Sequence, residues 1–268
     1  MSKLKFGFHN FLNAQPLLLP LLEMAESLDC EVCIDSPSNL AEKLSAGALD
    51  LAMIPSVEYL RKADSYKILP GAVIASCDKV DTVLFISHKN LEDIETIALD
   101  NRSKTSVALF QILFGDKLDS NVKTFVEDPN PEATLKKYDA ALIIGDPAFK
   151  AGSQFSDLTI YDLSHEWFMR TGKPFVHAVI VIRPEIELPN GLIDAFQKIK
   201  LDGKKRIPEI AKFHSASLDI NEGVAENYLS NKIIYDLDET ALEGLKAFHS
   251  LCFEKGLVED KFPLKFHQ

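Results

Sequence analysis

Hydrophobic and polar positions along the first half of the chain form short strand patterns separated by helix signals. Leu4, Phe6 and Phe8 recur at every second position, which is the spacing of a β-strand. The run LDLAMI at residues 49–54 is almost wholly apolar and predicts a buried strand. Between these two segments, Ser36 and Pro37 mark the start of a helix. Short apolar strands separated by helices predict a parallel or mixed sheet with both faces covered.

A second series of strands and helices starts near residue 90 and leads to the apolar strand FVHAVIVI at 175–182. From residue 190 onward the pattern is almost purely helical. Two such series predict an α/β protein with two lobes, lobe 1 formed by residues 1–87 plus 176–268 and lobe 2 by residues 88–175. We expect the chain to cross between the lobes near His88 and Phe175. This is the type II periplasmic-binding-protein-like architecture, in which a ligand lies in the cleft between the lobes.

Composition narrows the function classes. The chain has 268 residues, 46% of them hydrophobic and 26% charged, as in an ordinary globular protein. Its 40 acidic residues outnumber 29 basic ones, so a nucleic-acid partner is not expected. No apolar run is long enough to span a membrane, and the N-terminal residues lack a signal-peptide pattern. We therefore expect a cytoplasmic protein without a membrane partner.

The familiar cofactor and metal motifs are missing from the sequence. It contains neither a dinucleotide-binding G-x-G-x-x-G nor a phosphate-binding P-loop. His165 and Glu166 begin like the zinc motif H-E-x-x-H, but the fifth position is Met169. Cys30 and Cys33 have C-x-x-C spacing, yet they lie in a predicted strand and face opposite sides of it. The seven histidines are scattered and are expected to have surface or structural roles, and we expect no cofactor or metal.

Small polar residues stand where predicted strands end. Hydroxyl groups together with the free N–H groups of a helix N-terminus can hold a carboxylate or phosphate without a formal positive charge. Simpler structural roles exist for several of these residues. One of the hydroxyls at residues 103–106 is expected to cap its helix. An N-cap is the safer role for Asp146, and a turn would account for Asn13. The candidates are Asn13, Ser56, Ser103, Thr105, Ser106, Gly145 and Asp146.

Five segments of the chain, in order and with matching gaps, resemble chorismate dehydratase, the menaquinone-biosynthesis enzyme family of the futalosine pathway. The resemblance implies a two-lobed binding-protein-like fold and a carbon–oxygen lyase that needs no cofactor. Its small-molecule substrate would be chorismate, which loses water to give 3-[(1-carboxyvinyl)oxy]benzoate. The segments are FLNAQPL (11–17), GALDLAMIPSVEYL (47–60), ALDNRSKTSVALFQILF (98–114), DAALIIGDPAF (139–149) and DLSHEW…TGKPFVHAV (162–179).

The resemblance also implies roles for individual residues. Asn13 and Thr82 would reach the reacting part of the ring, where the family typically has serine at the position of Thr82. Neither side chain is a competent general base at its ordinary pKa, so a carboxylate of the substrate would take the proton. The remaining candidates, Ser56, Ser103, Thr105, Ser106, Gly145 and Asp146, would bind the substrate, which is a dicarboxylate.

Two other functions remain open at this level. A solute-binding protein for a small carboxylate would use the same fold, and binding without turnover would distinguish it. The sister enzyme 1,4-dihydroxy-6-naphthoate synthase shares the fold too, although its segments match less well. The sequence makes no prediction about the oligomeric state.

Overall fold

The computed structural model describes residues 3–100, 102–127 and 130–267, which form two β-sheets surrounded by helices. No helix within these residues is long and apolar enough to cross a membrane. The strands are β1 (Leu4–Phe8), β2 (Cys30–Ile34), β3 (Leu51–Pro55), β4 (Lys67–Ser76), β5 (Val83–Ser87), β6 (Thr96–Asp100), β7 (Lys123–Glu127), β8 (Ala140–Ile144), β9 (Thr159–Asp162), β10 (Phe175–Ile182) and β11 (Ile233–Ile234).

The helices pack on both faces of the sheets and also form most of the C-terminal third. They are α1 (Gln15–Met24), α2 (Pro37–Ser45), α3 (Ser56–Arg61), α4 (Lys104–Phe114), α5 (Pro131–Lys137), α6 (Pro147–Gln154), α7 (Leu163–Thr171), α8 (Leu192–Lys205), α9 (Ile207–Leu218), α10 (Glu222–Asn227) and α11 (Glu239–Glu254). A π-helical turn, Tyr228–Lys232, continues α10.

The two sheets give the predicted two-lobed α/β architecture. The first has six strands in the order β11-β4-β10-β3-β1-β2, and the second has five in the order β7-β6-β8-β5-β9. Strand β3 is buried at every position, as its apolar sequence predicts, because β1 and β10 flank it and helices cover it. Strand β10 returns from the second series of elements and pairs antiparallel with both β3 and β4. The fold-class prediction is confirmed.

The position of the first crossing differs from the expectation. Strand β5 was expected in lobe 1, but Val83–Ser87 pairs antiparallel with β8 and β9 of the second sheet. The chain therefore passes between the sheets after Ser76 rather than near His88, and it returns before Phe175 as expected. The apolar pattern predicts that residues 83–86 form a strand, but pattern alone does not specify which sheet the strand joins. The division of the lobes into separate domains stays a prediction.

Asp162 joins the first crossing segment to the start of α7. One carboxylate oxygen accepts the N–H groups of Val80 and Asp81 in the first crossing, at 2.9 and 2.7 Å. The other caps α7 by accepting the N–H groups of Ser164 and His165, at 3.0 and 3.2 Å. Burial raises the pKa of this carboxyl, and the backbone donors oppose that rise. A single side chain thus satisfies four backbone donors, two in the first crossing and two in α7.

Close backbone contact fixes helix α8 against α1 in lobe 1. A Cβ atom at Gly203 would lie 1.5 Å from the carbonyl oxygen of Pro16, so only glycine allows this approach. The contact positions α1, which follows the end of β1 at the cleft.

We predict that Gly203→Ala destabilises the protein by about 1–3 kcal/mol, because the added methyl group must separate α8 from α1. The change is measured as a lower urea midpoint for unfolding at an unchanged slope. Gly152→Ala in α6 is the matched control, since its nearest neighbour would be at an ordinary 3.7 Å. Equal destabilisation by both substitutions would contradict the packing argument.

Candidate active site between the lobes

A cavity lies between the two lobes, where the carboxyl ends of several strands meet the N-terminus of α4. Its empty space, including open solvent at the mouth, is about 560 Å³. Both lobes contribute to its walls. The lining residues are His9, Phe11, Asn13, Pro37, Pro55, Ile74, Val80, Thr82, Val83, Ser103, Thr105, Ser106, Ile144, Gly145, His177 and Ala178.

Asn13 and Thr82 line the cavity, and a residue that the sequence analysis missed lies behind Thr82. The Oγ1 atom of Thr82 lies 2.9 Å from the phenol oxygen of Tyr228, which is buried. Burial raises the pKa of Tyr228 well above its usual value, and the contacts with Thr82 and Asn13 only partly oppose this. The phenol therefore keeps its proton. Tyr228 opens the π-helical turn after α10, a feature that tertiary packing creates and that no local pattern indicates.

The Oδ1 atom of Asn13 is buried and has no hydrogen-bond partner within the described part of the chain. A buried carbonyl-type oxygen without a donor is destabilising, and such atoms are rare in native proteins. Because Asn13 lines the cavity, a hydroxyl group of a bound molecule could satisfy this oxygen. Asn13 Oδ1 is therefore a candidate hydrogen-bond acceptor for a ligand at this end of the cavity.

The three hydroxyl residues at the start of α4 all line the cavity, but they have different tasks. Ser103 caps the helix: its Oγ accepts the N–H of Ser106 at 3.2 Å and donates to the Ser106 hydroxyl at 2.8 Å. The Ser106 hydroxyl proton is thereby left for another acceptor. Thr105 accepts the N–H of Val57 from the opposite lobe at 3.2 Å. These hydroxyls and the helix N-terminus form a neutral, anion-attracting end of the cavity.

Two of the predicted binding residues lie behind the cavity wall. Ser56 is fully buried and donates its hydroxyl to the carbonyl oxygen of Val176 at 2.7 Å. Asp146 stands at the N-cap position of α6, but its side chain makes no capping bond. Instead, its Oδ1 accepts the N–H of Leu12 from the other lobe at 3.1 Å. The cap expected for Asp146 is therefore wrong, because the positive φ of Gly145 (70°) turns the chain so that the carboxylate reaches across the cleft.

Two histidines expected to have surface or structural roles line the cavity instead. His9 follows β1, and its ring packs 5.1 Å from that of Phe11. His177 lies in β10, with Nε2 2.8 Å from the hydroxyl of Ser76. Burial lowers the pKa of each to about 4, so both imidazoles are neutral at pH 7. No sequence spacing joins them, since only the sheet order brings β1 and β10 to the same edge.

The basic side chains near the cavity are already paired. Arg102 binds both oxygens of Asp100 through Nε and Nη2, at 3.0 and 2.7 Å, and its guanidinium lies 5.2 Å from the centre of the Phe11 ring. The amine of Lys104 is 3.4 Å from Glu42 of lobe 1. Neither basic residue is part of the cavity lining. Among the described residues, the lining therefore holds no side chain with a permanent positive charge.

Comparison with known proteins relates this chain to a family. A family model described as menaquinone biosynthesis matches residues 4–254. A chorismate dehydratase from Thermus thermophilus is 31% identical over 227 residues, which are 79% of this chain and 83% of that protein.

Solved structures with low sequence identity share the fold. A crystal structure of a protein from Archaeoglobus fulgidus matches with a TM-score of 0.71 at 15% identity, covering 96% of this chain and 99% of that one. The alkanesulfonate-binding protein of Xanthomonas axonopodis pv. citri, bound to MOPS, gives 0.68 at 13% identity over 98% and 96%. A Candida albicans protein with the generic periplasmic binding protein fold gives 0.67 at 11% identity over 100% and 98%.

We predict that Asp146→Asn changes how stability depends on pH. Burial raises the pKa of Asp146 to about 6, so the folded protein binds this proton more tightly than the unfolded chain does. Protonation of Asp146 therefore adds stability to the folded state at low pH. That stability is present below the ordinary value near 3.8 and is lost as the pH rises through about 6. Relative to the variant, the wild type should lose about 2 kcal/mol of unfolding free energy between pH 4 and pH 7.

Denaturant unfolding at the two pH values measures this difference. Asparagine keeps an oxygen that accepts the Leu12 N–H, so the contact between the lobes survives the substitution. Asp157→Asn, at an exposed position of the same lobe, is the control and should shift stability equally at both pH values. A parallel pH dependence in the wild type and Asp146→Asn would refute the assignment.

Proposed function

The chain belongs to the chorismate dehydratase family of menaquinone biosynthesis, and we propose that it removes water from chorismate in the cleft between its lobes. The product is 3-[(1-carboxyvinyl)oxy]benzoate, which makes the enzyme a carbon–oxygen lyase. The carrying observation is the unpaired Asn13 oxygen beside the Thr82–Tyr228 hydroxyl pair in an otherwise uncharged cavity. The expected cytoplasmic location stays a prediction.

The reaction needs little chemical assistance from the protein. Chorismate loses the hydrogen on ring C3 and the hydroxyl group on C4. The electron pair of the C3–H bond becomes the new ring double bond as the C4–O bond breaks, and the ring becomes aromatic. The driving force is therefore in the substrate. The protein has to hold the ring in one geometry, place the proton acceptor and stabilise the leaving oxygen.

The Thr82–Tyr228 pair is placed to assist the leaving oxygen. Because the raised pKa keeps Tyr228 protonated, its phenol can donate to the Thr82 oxygen. The Thr82 hydroxyl proton is then available to donate into the cavity. A donor aimed at the oxygen that gains negative charge accelerates its departure. Tyr228 acts through Thr82 in this arrangement and is a positioning residue.

Asn13 binds the C4 hydroxyl group of the substrate before that group leaves. Its buried Oδ1 can accept a hydrogen bond from the C4 hydroxyl and thereby fix the ring. The hydroxyl end at α4, with Thr105 and Ser106, then receives a carboxylate. We assign removal of the C3 proton to a carboxylate of the substrate itself, since Asn13 and Thr82 are too weakly basic.

The first experiment mixes the purified protein with chorismate and separates the products by chromatography beside authentic 3-[(1-carboxyvinyl)oxy]benzoate. Formation of this compound, at a rate that scales with protein concentration, is the expected result. Chorismate that binds but stays unchanged would instead support the solute-binding function. Failure to bind chorismate would reject the dehydratase function and leave the fold unchanged.

We predict that Thr82→Val lowers kcat about 100-fold or more, because it removes the hydroxyl donor while keeping the side-chain volume. Thr82→Ser keeps the hydroxyl and should remain within about tenfold of the wild type. Tyr228→Phe should give an intermediate loss in kcat with little change in KM, since it only releases Thr82. Steady-state kinetics with chorismate measure all three variants. Equal activity of the valine and serine variants would remove Thr82 from the mechanism.

We predict that Asn13→Leu abolishes turnover, by a factor of about 100 or more, and leaves the thermal unfolding temperature unchanged or higher. Leucine is similar in size and removes a buried oxygen that has no partner in the free protein. Rate measurements and thermal unfolding of the same preparations separate catalysis from folding. An active Asn13→Leu enzyme would overturn the role given to this residue.

A further inference from the structure

His177 occupies a β-bulge at the edge of the cleft. Val176 pairs with Ala75 of β4 and Ala178 pairs with Ile74, so His177 has no partner residue opposite it. A bulge inserts one extra residue into a strand, redirects its side chain and is common beside active sites. Here the side chain of His177 lines the cavity and is only half-buried.

The hydrogen bonds behind His177 determine which ring nitrogen carries the proton. The hydroxyl of Ser76 donates to that of Ser164 at 3.1 Å, so its oxygen is left to accept. Nε2 of His177, 2.8 Å from this oxygen, therefore carries the hydrogen in the neutral ring. Nδ1 keeps its lone pair and has no hydrogen-bond partner among the described residues. This atom is not fully enclosed by protein.

No charged group faces this imidazole from the elements around it. Strand β4 contributes the hydroxyl of Ser76, α7 contributes that of Ser164, and β10 itself contributes the ring of Phe175 at 5.0 Å. Asp162, two residues before Ser164, directs its carboxylate to backbone N–H groups of the first crossing segment and of α7. The opposite wall of the cavity consists of the hydroxyl residues at α4 and the neutral imidazole of His9.

A dicarboxylate therefore enters a cavity whose lining has no permanent cation and only two ionisable side chains, His9 and His177. The side chain of His9 is buried, whereas that of His177 is only half-buried, so His177 is the more accessible of the two imidazoles. A carboxylate close to an imidazole favours its protonated form, and most strongly where solvent is excluded.

We propose that His177 becomes the cation of the cleft when substrate binds. Nδ1 takes up one proton from solvent, and the imidazolium then pairs with one of the two carboxylates. The proton returns to solvent when the dicarboxylate product leaves, so a complete turnover consumes none. The inference rests on the proposed function in taking the ligand to be a dicarboxylate, but it does not require turnover.

Proton uptake on binding determines the direction in which ligand affinity changes with pH. Because the protonated histidine exists mainly in the complex, the affinity for a dicarboxylate rises as the pH falls. The increase approaches tenfold for each pH unit below the pKa of His177 in the complex. Burial holds the pKa of the free imidazole near 4, so this dependence extends through the range from pH 7 to pH 5.5.

Calorimetric titration with the product 3-[(1-carboxyvinyl)oxy]benzoate, at pH 6.5 in phosphate and in imidazole buffer, measures the number of protons taken up. We expect between one half and one proton for the wild type and none for His177→Gln. The glutamine amide can still donate to Ser76 but cannot take up a proton. His177→Gln should bind at least tenfold more weakly at pH 6 and lose the pH dependence. His214→Gln, a histidine variant on α9 outside the cavity, should behave as the wild type does.

A second measurement uses the wild-type protein and therefore does not depend on the folding of a variant. In the ¹⁵N spectrum of wild-type protein labelled at histidine, product should convert one neutral histidine to the doubly protonated form at pH 6.5. Binding without proton uptake, or uptake that His177→Gln retains, would overturn the inference.

The outcomes also separate this inference from the proposed function. If chorismate is not converted, the same titration is made with chorismate itself, and proton uptake would support the inference without the enzyme activity. Conversion of chorismate without proton uptake on product binding would overturn the inference alone. Failure of both dicarboxylates to bind would overturn both.

Discussion

The hydrogen bond from the Leu12 N–H to the Asp146 carboxylate joins the two lobes beside the cavity. A second bond, from the Val57 N–H to the Thr105 hydroxyl, joins them at the start of α4. In both cases a backbone group that follows a strand of one lobe finds its partner in the other. Buried polar groups must be satisfied, and here the lobes satisfy each other only when the cleft is closed. The geometry of the candidate site depends on this closure.

The closed cleft has few charged side chains, whereas the proposed ligand carries two negative charges. Hydroxyl groups and the N-terminus of α4 can receive one carboxylate without a counter-ion. Arg102, which precedes this helix, is already bound by Asp100, and its guanidinium lies over the ring of Phe11. Electrostatic interactions in such a cavity are stronger than in bulk water, which suits an elimination that expels hydroxide. A permanent cation inside the cavity would also tend to retain the dicarboxylate product.

Sequence patterns predict the strands and helices of this fold well where local signals are strong. The apolar run at residues 49–54 coincides with β3, and the start signal at Ser36 and Pro37 coincides with the N-terminus of α2. The sheet joined by β5 was not predictable, because strand pairing is decided by contacts between distant segments. The same reason explains the missed residues of the site. Tyr228 reaches Thr82 from a π-helical turn, and His177 reaches the cavity from a bulge. Both irregularities arise from tertiary packing.

Asp162 restricts how the first connection between the lobes can bend. Its carboxylate holds the N–H groups of Val80 and Asp81 together with those of Ser164 and His165, so this connection is fixed to the first turn of α7. A linker without such an attachment would let the lobes twist and slide as well as open. Attachment at one point leaves the linker fewer directions in which to bend, which favours one alignment of the groups that the two lobes bring to the cleft.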